Sequence, residues 1–273
     1  MIDAIFVREG DLFVPTDLAG SPWGDGLLHG GPPAGLMARA VEHYLAGDPG
    51  LQPVRITVDL FRPVPKQPLR AVVTPVREGK RLAALQVSVF AGDVEVSRAA
   101  VLALRTSSVE LQEGVNAPPS VPGYEGIATT GLMGALRPPG IPDGASPRGP
   151  DRQGFHTTIE VRRVSPHGSD GTIAWLRMPV PLVLGEETGP FARLATTADF
   201  GSPLGSVRTG GQSGFINADI SVHLQRLPEG EWLCLEARGS AEATGLGIVH
   251  TVVHDLHGPL GRITQAIMAN RMG

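Results

Sequence analysis

Cysteine is nearly absent from this sequence. The chain of 273 residues holds a single cysteine, Cys234. This excludes an internal disulfide framework, and it excludes a zinc site built from several cysteines. Cys234 lies in an apolar run over residues 232–235, where a buried thiol that packs as a small hydrophobic side chain is the expected role.

An excess of positive charge and a long apolar run are also missing. Lysine and arginine together number 23 against 27 aspartates and glutamates, which gives a formal net charge of −4. No basic field is therefore available to attract nucleic acid or an anionic membrane. No segment approaches the ~20 apolar residues of a membrane-spanning helix, and the first residues lack the basic stretch and apolar core of a signal peptide. We expect a cytoplasmic protein with no nucleic-acid partner and no membrane span.

What the sequence does contain is a repeat of itself at an offset of 164 residues. The segment ITVDLFR at 56–62 corresponds to ISVHLQR at 220–226, and the apolar pattern stays in phase, without a gap, as far as residues 104 and 268. A solenoid repeat is much shorter, roughly 20–50 residues. The sequence therefore predicts two copies of one small domain, packed as a pair.

Each copy predicts a helix followed by long strands. In the first copy, apolar residues share one face of a helix over 34–45, which follows prolines and ends before Gly47 and Pro49. In the second copy, Glu186 and Glu187 suit the first turn of a helix over 186–200. Period-two alternation and turn residues predict the strands. These are a hairpin over 4–14, strands over 54–62, 69–76, 82–90 and 94–105, and, in the second copy, strands over 155–164, 171–178, 215–225, 232–239, 246–254 and 261–268.

A segment rich in proline and glycine, residues 107–151, separates the two copies. It predicts a connector that wraps on the surface between an N-terminal unit over 1–106 and a C-terminal unit over 152–273. A helix that precedes several antiparallel strands, twice over, is α+β architecture. The apolar face of each helix predicts that it packs against the concave face of its own sheet.

The order of these segments resembles the hotdog fold, in which a curved antiparallel sheet wraps around a central helix. Two copies in one chain are similar to the double-hotdog acyl-CoA thioesterases of the thioesterase II family and their actinobacterial thioesterase-like relatives. The resemblance is carried by Trp23 with HGGPPA at 29–34, LFRP at 60–63, ADF at 198–200, FINADISVH at 215–223 and GRITQ at 261–265. It implies a double hotdog fold that hydrolyses acyl-CoA, with no metal or redox cofactor and with further pairing into a homo-oligomer.

The resemblance also implies a polar set that holds the attacking water. Family members use an Asp on the second helix, a hydroxyl or amide residue on the next strand and a Gln on the last strand, which by position are Asp199, Asn217 and Gln265 here. The better-known members have Thr at the middle position, but an amide can also orient a water because it both donates and accepts. The repeat places Gly35 and Val101 opposite Asp199 and Gln265, so we expect one active site, built mainly from the C-terminal unit.

Thioester hydrolysis needs a base, a placed water and a donor for the developing oxyanion. Asp199 is the only carboxylate in residues 191–200, and burial there is expected to raise its pKa and make it a stronger base. We expect His29, Gly30 and Gly31 to bring backbone N–H groups at a helix N-terminus to the acyl carbonyl. Arg62 is a candidate for contact with the CoA phosphates.

Each of these residues also has a purely structural interpretation. Asp199 can cap a helix end or pair with Arg193, and Asn217 can occupy a turn after Gly214. Gln265 can lie on an exposed strand face, and the two glycines at 30–31 can form a tight turn.

Two other enzyme classes and a metal site fit the sequence less well. The histidines at 250, 254 and 257 have a suggestive spacing, but the repeat places them in a strand and a turn, with no evident carboxylate or fourth ligand. The segment GQSG at 211–214 fails the spacing of a serine-hydrolase nucleophile. The strand–GxGxxG–helix signal of a nicotinamide enzyme is missing.

Two alternatives within the same fold stay open. A hotdog hydratase or dehydratase would need a His/Asp pair near the thioester, and Asp219 and His223 are the nearest local pair, on one face of one strand. The other alternative is a non-catalytic protein that binds acyl groups or lipids.

Overall fold

The structure of the chain is a computed structural model that describes residues 3–22, 24–112, 115, 121–132, 153–165, 171–205, 207 and 213–271. Trp23, residues 211–212 and most of the expected connector lie outside these residues. The helices are α1 (Gly31–Leu45), α2 (Phe155–Thr158), α3 (Pro190–Ala198) and α4 (Gly201–Leu204), with a 3-10 turn at Asp17–Ala19. The strands are β1 (Phe6–Glu9), β2 (Leu12–Pro15), β3 (Gly20–Ser21), β4 (Gly24–Leu28), β5 (Leu51–Asp59), β6 (Leu69–Glu78), β7 (Leu82–Ala91), β8 (Val94–Arg105), β9 (Thr130–Gly131), β10 (Glu160–Arg163), β11 (Thr172–Arg177), β12 (Ser213–Asn217), β13 (Asp219–Leu224), β14 (Trp232–Ala241), β15 (Leu246–Asp255) and β16 (Gly258–Arg271).

Fourteen of these strands form one antiparallel sheet. Its order is β1-β2-β6-β7-β8-β5-β13-β16-β15-β14-β11-β10-β9, and β12 also pairs with β16. The strands that come before the expected connector occupy one half of the sheet, and those that follow occupy the other half together with β9. None of the helices in the described part of the chain is long and apolar enough to cross a membrane.

The two halves of the sheet join where β5 pairs with β13. Thr57 lies directly opposite Ser221, and their hydroxyl oxygens are 3.4 Å apart. These two residues are 164 positions apart, the offset of the sequence repeat. Repeat-equivalent residues therefore meet each other at the join, as they would across a twofold axis.

Helices α1 and α3 pack against each other on the inside of the sheet. α1 lies on β5, β6, β7 and β8, as its apolar face predicts, and α3 contacts β13. A Cβ atom on Gly31 would lie 2.3 Å from the backbone oxygen of Thr196, and one on Gly35 would lie 2.0 Å from the Thr196 hydroxyl. The two helices come this close only because α1 has glycine at both positions.

α3 begins at Pro190 rather than at residue 186, and a side chain from α1 caps it. Oε1 of Glu42 accepts the backbone N–H of Phe191 at 2.8 Å, which satisfies one of the free donors of the first turn. Glu186, expected inside the helix, instead pairs with Arg39 of α1 at 2.6 Å. Side chains of α1 thus fix where α3 starts.

Three other elements differ from the sequence prediction. Residues 155–158 form α2 instead of opening a strand, because the Thr157 hydroxyl and the backbone of Gly154 bond to each other. The strand predicted over 215–225 is interrupted at Ala218 between β12 and β13. Part of the expected connector belongs to the sheet, since β9 pairs with β10.

Candidate active site

Asp199 follows the last turn of α3 and is buried, with 6% of its surface exposed. Its Oδ2 lies 2.8 Å from Nδ1 of His29, and its Oδ1 accepts the side-chain N–H of Asn217 at 2.8 Å. The backbone N–H of Gly31 also donates to this carboxylate. Gly30 is also adjacent, since a Cβ on it would lie 2.8 Å from Oδ2. The structure therefore brings together five of the residues that the sequence singled out.

The pKa of Asp199 is lowered, which corrects the expectation that burial would raise it. Burial does act to raise the pKa of this carboxyl, but the charge and hydrogen bond of His29 and the donors on Asn217 and Gly31 outweigh it. Asp199 is consequently ionised at neutral pH. The interpretation of Asp199 as a partner of Arg193 also fails, since the Arg193 guanidinium donates to the backbone oxygens of Gly230 and Thr188.

His29 packs against two aromatic rings. Its ring centroid lies 5.4 Å from that of Phe155 and 5.1 Å from that of Phe200, and these two phenylalanines stack at 5.2 Å. Nδ1 of His29 faces Asp199, so the carboxylate and the two rings together fix the orientation of the imidazole. The contact of Phe155 with His29 was not predicted from the sequence, because residue 155 lies outside the motifs that carry the family resemblance.

The first turn of α1 supplies the glycine backbone that was expected to stabilise an oxyanion. Gly30 is the N-cap of α1 and Gly31 its first residue. The N–H of Gly31 is directed at Asp199 and lies 3.3 Å from Nδ1 of His29. The helix terminus is thus adjacent to the carboxylate, and the positive end of its dipole favours negative charge at this place.

Gln265 lies on β16 with a fully buried side chain, and neither of its amide atoms has a hydrogen-bond partner. The interpretation of Gln265 as an exposed residue is therefore wrong. Its Oε1 lies 2.6 Å from the position of a Cβ on Gly201, two residues after Asp199, and Oγ1 of Thr251 lies 2.8 Å from the same point. Thr251 is also buried and unpartnered. Gln265 therefore approaches the same turn as Asp199 but makes no hydrogen bond to Asp199 or Asn217 in the described residues.

Thr251 was missed in the sequence, although the repeat carries a signal for it. Its equivalent in the first copy is Val87, and the equivalent of Gln265 is Val101. Both valines are buried. A buried polar group without a partner lowers the stability of the fold. Buried positions that are apolar in the first copy and polar in the second are therefore candidates for function, because stability alone does not explain the polar residue.

Replacement of Gln265 by leucine is expected to raise stability and lower activity. The substitution exchanges an unpartnered buried amide for an apolar side chain of similar size, which relieves a desolvation cost of about 1–3 kcal/mol. If Gln265 positions the water, kcat falls about tenfold or more while the melting temperature rises. Thermal unfolding and thiol-release kinetics on the same preparation check both effects. A fall in both quantities would assign Gln265 a structural role.

Among the described residues, neither Arg62 nor the side chains of the Asp219/His223 pair bond to Asp199. Arg62 is exposed after the end of β5, two residues beyond Leu60, whose side chain contacts Gly30. His223 is exposed, and the Asp219 carboxylate accepts from Ser221 and from the backbone of Ala266 instead. The local His/Asp pair expected for a hydratase is therefore not formed.

A groove of about 440 Å³ lies at the opposite end of α1. It is lined by the last turn of α1, the start of β5 and residues 182–190. None of the site residues described above lines it. The groove and the Asp199 cluster are separate features.

Two family descriptions match the chain, one in each half of the sequence. The acyl-CoA thioesterase N-terminal domain matches residues 19–105, and the acyl-CoA thioesterase C-terminal domain matches residues 137–269. The chain belongs to the acyl-CoA thioesterase family. This membership identifies it as a thioester hydrolase.

Solved structures similar to this member of the acyl-CoA thioesterase family share its fold. A candidate thioesterase from Novosphingobium aromaticivorans is 20% identical, with a TM-score of 0.69 over 97% of this chain and 98% of that one. A hot dog fold protein from Alicyclobacillus acidocaldarius is 19% identical, with a TM-score of 0.68 over 98% and 97%. The tesB protein of Mycobacterium avium subs paratuberculosis is 16% identical, with a TM-score of 0.64 over 97% and 95%. These likenesses confirm the hotdog fold. No protein of curated function matches the sequence.

Proposed function

We propose that this protein hydrolyses fatty or related acyl-CoA thioesters to the free acid and CoA, with Asp199 as the base. The observation that carries the proposal is the buried, ionised carboxylate of Asp199, which His29, Asn217 and the N-terminus of α1 hold in place. A thioesterase that proceeds without a covalent intermediate needs a fixed carboxylate to take a proton from the water. It also needs a nearby group, such as a helix N-terminus, that stabilises the negative charge on the carbonyl oxygen.

In the proposed reaction, the oxygen of a water molecule attacks the thioester carbonyl carbon while Asp199 takes a proton from that water. The carbonyl π electrons move to oxygen, and the first turn of α1 at Gly30 and Gly31 stabilises the negative charge. The carbonyl then reforms, the C–S bond breaks, and the CoA thiolate receives the proton. Asn217 uses its N–H to hold Asp199, so its amide oxygen is left to accept from the water.

His29 has the role of a positioning residue in this proposal. Its Nδ1–H keeps Asp199 ionised and oriented, and its ring is fixed by Phe155 and Phe200. Gln265 and Thr251 supply unpartnered polar atoms beside Gly201, where they fit a water molecule. Arg62, exposed two residues beyond Leu60, is the proposed contact for the CoA phosphates.

We also propose that the fold is a double hotdog, with units over 1–106 and 152–273 and a connector over 107–151. The two family matches, one for each half, support this division. So does the meeting of the repeat-equivalent residues Thr57 and Ser221 at the join between β5 and β13. The second match begins at residue 137, inside the proposed connector.

The pH dependence of hydrolysis is expected to reflect the lowered pKa of Asp199. Because the base must be ionised and its pKa lies below the ordinary 3.8, kcat/KM should hold from neutral pH down to about pH 4 and fall below it. Asn217→Ala removes a donor to the carboxylate, so its acidic limb should move to higher pH. Rate profiles of both proteins, with folding checked at each pH, test this. An acidic limb at about pH 6–7 in the wild type is typical of an imidazole base and would transfer the role to His29.

The function is tested with a panel of substrates from acetyl-CoA to palmitoyl-CoA. Release of free thiol, together with formation of the free acid, supports hydrolysis. Binding of acyl-CoA without thiol release would support the non-catalytic binder, and no reaction and no binding would contradict the proposal.

A hydratase or dehydratase is the second candidate, and the contact between His29 and Asp199 favours it. Such an enzyme needs a His/Asp pair near the thioester, and the structure forms one from residues that lie far apart in the sequence. The same panel, extended to an enoyl-CoA and a 3-hydroxyacyl-CoA, separates the two functions. Interconversion of these two compounds without thiol release would establish the second candidate.

A further inference from the structure

Asp219 lies at an irregularity in the sheet immediately beside the candidate active site. β12 pairs with β16 in a register that places Asn217 opposite Ile267, whereas β13 pairs with β16 in a register that places Ser221 opposite Thr264. Three residues on one strand therefore face two on the other, which is a β-bulge. Bulges re-aim side chains and are frequent next to active sites.

The carboxylate of Asp219 binds both sides of this bulge. Its Oδ1 accepts the backbone N–H of Ala266 at 2.6 Å, and its Oδ2 accepts the hydroxyl of Ser221 at 2.9 Å. Ala266 follows Gln265 on β16. Asp219 thus fixes the backbone beside Gln265 to the start of β13, two residues after Asn217.

The first copy of the repeat contains the same bulge without this carboxylate. The register between β5 and β8 shifts between Pro53 and Arg55, and these residues are equivalent to Asn217 and Asp219 at the offset of 164. The first copy therefore forms its bulge without an aspartate, and in the second copy the carboxylate adds bonds across the bulge. Only the second copy, which also carries Asp199, combines the bulge with an amide and a carboxylate.

We propose that Asp219 is a positioning residue for thioester hydrolysis, since its bonds to the Ala266 N–H and the Ser221 hydroxyl hold the bulge in the geometry that directs Asn217 to Asp199. This rests on the proposed function of the Asp199 cluster. The amide of Asn217 donates to Asp199 at 2.8 Å and lies 3.5 Å from the backbone oxygen of Asp219. Asp219 acts through Asn217 and the backbone of β16, and it does not contact Asp199.

The test compares Asp219→Ala with two matched variants. Asp219→Asn keeps an oxygen that accepts from Ala266. Asp59→Ala removes a carboxylate from the residue that lies directly opposite Asp219 across the join and is exposed. We expect Asp219→Ala to lower kcat about 10- to 100-fold, the effect of a small misplacement of a catalytic group, with KM changed less than about threefold. The kcat of Asp219→Asn should stay within about threefold of the wild-type value, and so should the kcat of Asp59→Ala.

A crystal structure of Asp219→Ala gives a second readout that does not depend on activity. We expect the distance between Nδ2 of Asn217 and Oδ1 of Asp199 to lengthen beyond hydrogen bonding. An unchanged distance, a wild-type kcat, or equal losses in Asp219→Ala and Asp219→Asn would overturn the proposal. So would failure of Asp219→Ala alone to fold, because the carboxylate would then stabilise the sheet as a whole. If wild type itself releases no thiol, the proposed function fails, and the crystallographic distance still decides the role of Asp219.

Discussion

Replacement of Asp199 by asparagine is expected to lower kcat for acyl-CoA hydrolysis by about 10³-fold, within the range of ~10²–10⁴ for loss of a general base. The amide has nearly the same shape as the carboxylate, and it can still accept the hydrogen bond that Asn217 donates. It cannot take a proton from water at neutral pH. The effect should therefore appear in kcat with little change in folding, and thiol-release kinetics combined with thermal unfolding measure both.

Two controls separate the charge of Asp199 from its surroundings. Asp219→Asn makes the same chemical change at a neighbouring carboxylate and should retain activity. His29→Asn keeps an N–H close to the place of Nδ1 and should lose no more than about tenfold. If His29→Asn loses as much activity as Asp199→Asn, the imidazole is the base. A fully active Asp199→Asn protein would refute the assignment of Asp199.

Replacement of Gly31 by alanine is expected to cost about 2 kcal/mol of stability. The added methyl group would lie 2.3 Å from the backbone oxygen of Thr196 and 2.9 Å from Cε1 of Phe155, so α1 and α3 would have to move apart. Overpacking of this kind costs about 1–3 kcal/mol, more than the gain in helix propensity at the first residue of a helix. The melting temperature should fall by about 4–8 °C. Hydrolysis should fall as well, because the N–H of Gly31 donates to Asp199.

Gly47, just beyond the same helix, provides the matched control. A Cβ there meets no atom within 4 Å, so Gly47→Ala should change stability by less than about 0.5 kcal/mol. Equal melting temperatures for the Gly31→Ala and Gly47→Ala proteins would contradict the close contact of the two helices.

Local patterns and the internal repeat predicted much of the fold. The long strands β6, β7, β8, β14, β15 and β16 follow the apolar alternation of the sequence, and the helix predicted over 34–45 is α1 with one additional turn. The start of α3 was not predictable from its own residues, because Glu42 of α1 sets it. Likewise, the turn of α2 depends on a bond between Gly154 and Thr157 that competes with the strand.

The chemistry of the site depended on contacts between distant residues. Asp199, Asn217 and Gln265 were identified as candidates from the resemblance, but the partner that the sequence offered for Asp199, Arg193, was wrong. His29, 170 positions earlier in the chain, was expected to contact substrate, and instead it bonds to that carboxylate. For the same reason the pKa expectation had the wrong direction, since burial was evident from apolar neighbours while the compensating donors were not.

The pairing of Thr57 with Ser221 has a consequence for how the two halves can accumulate substitutions. In an assembly of two identical chains, every substitution would occur on both sides of such an axis. Here a single polypeptide holds both sides, so each can change independently of the other. Gly35, the counterpart of Asp199, shows the result: its contact with Thr196 leaves no room for a carboxylate, so the second copy supplies the carboxylate while the first supplies His29 and the helix N-terminus that hold it.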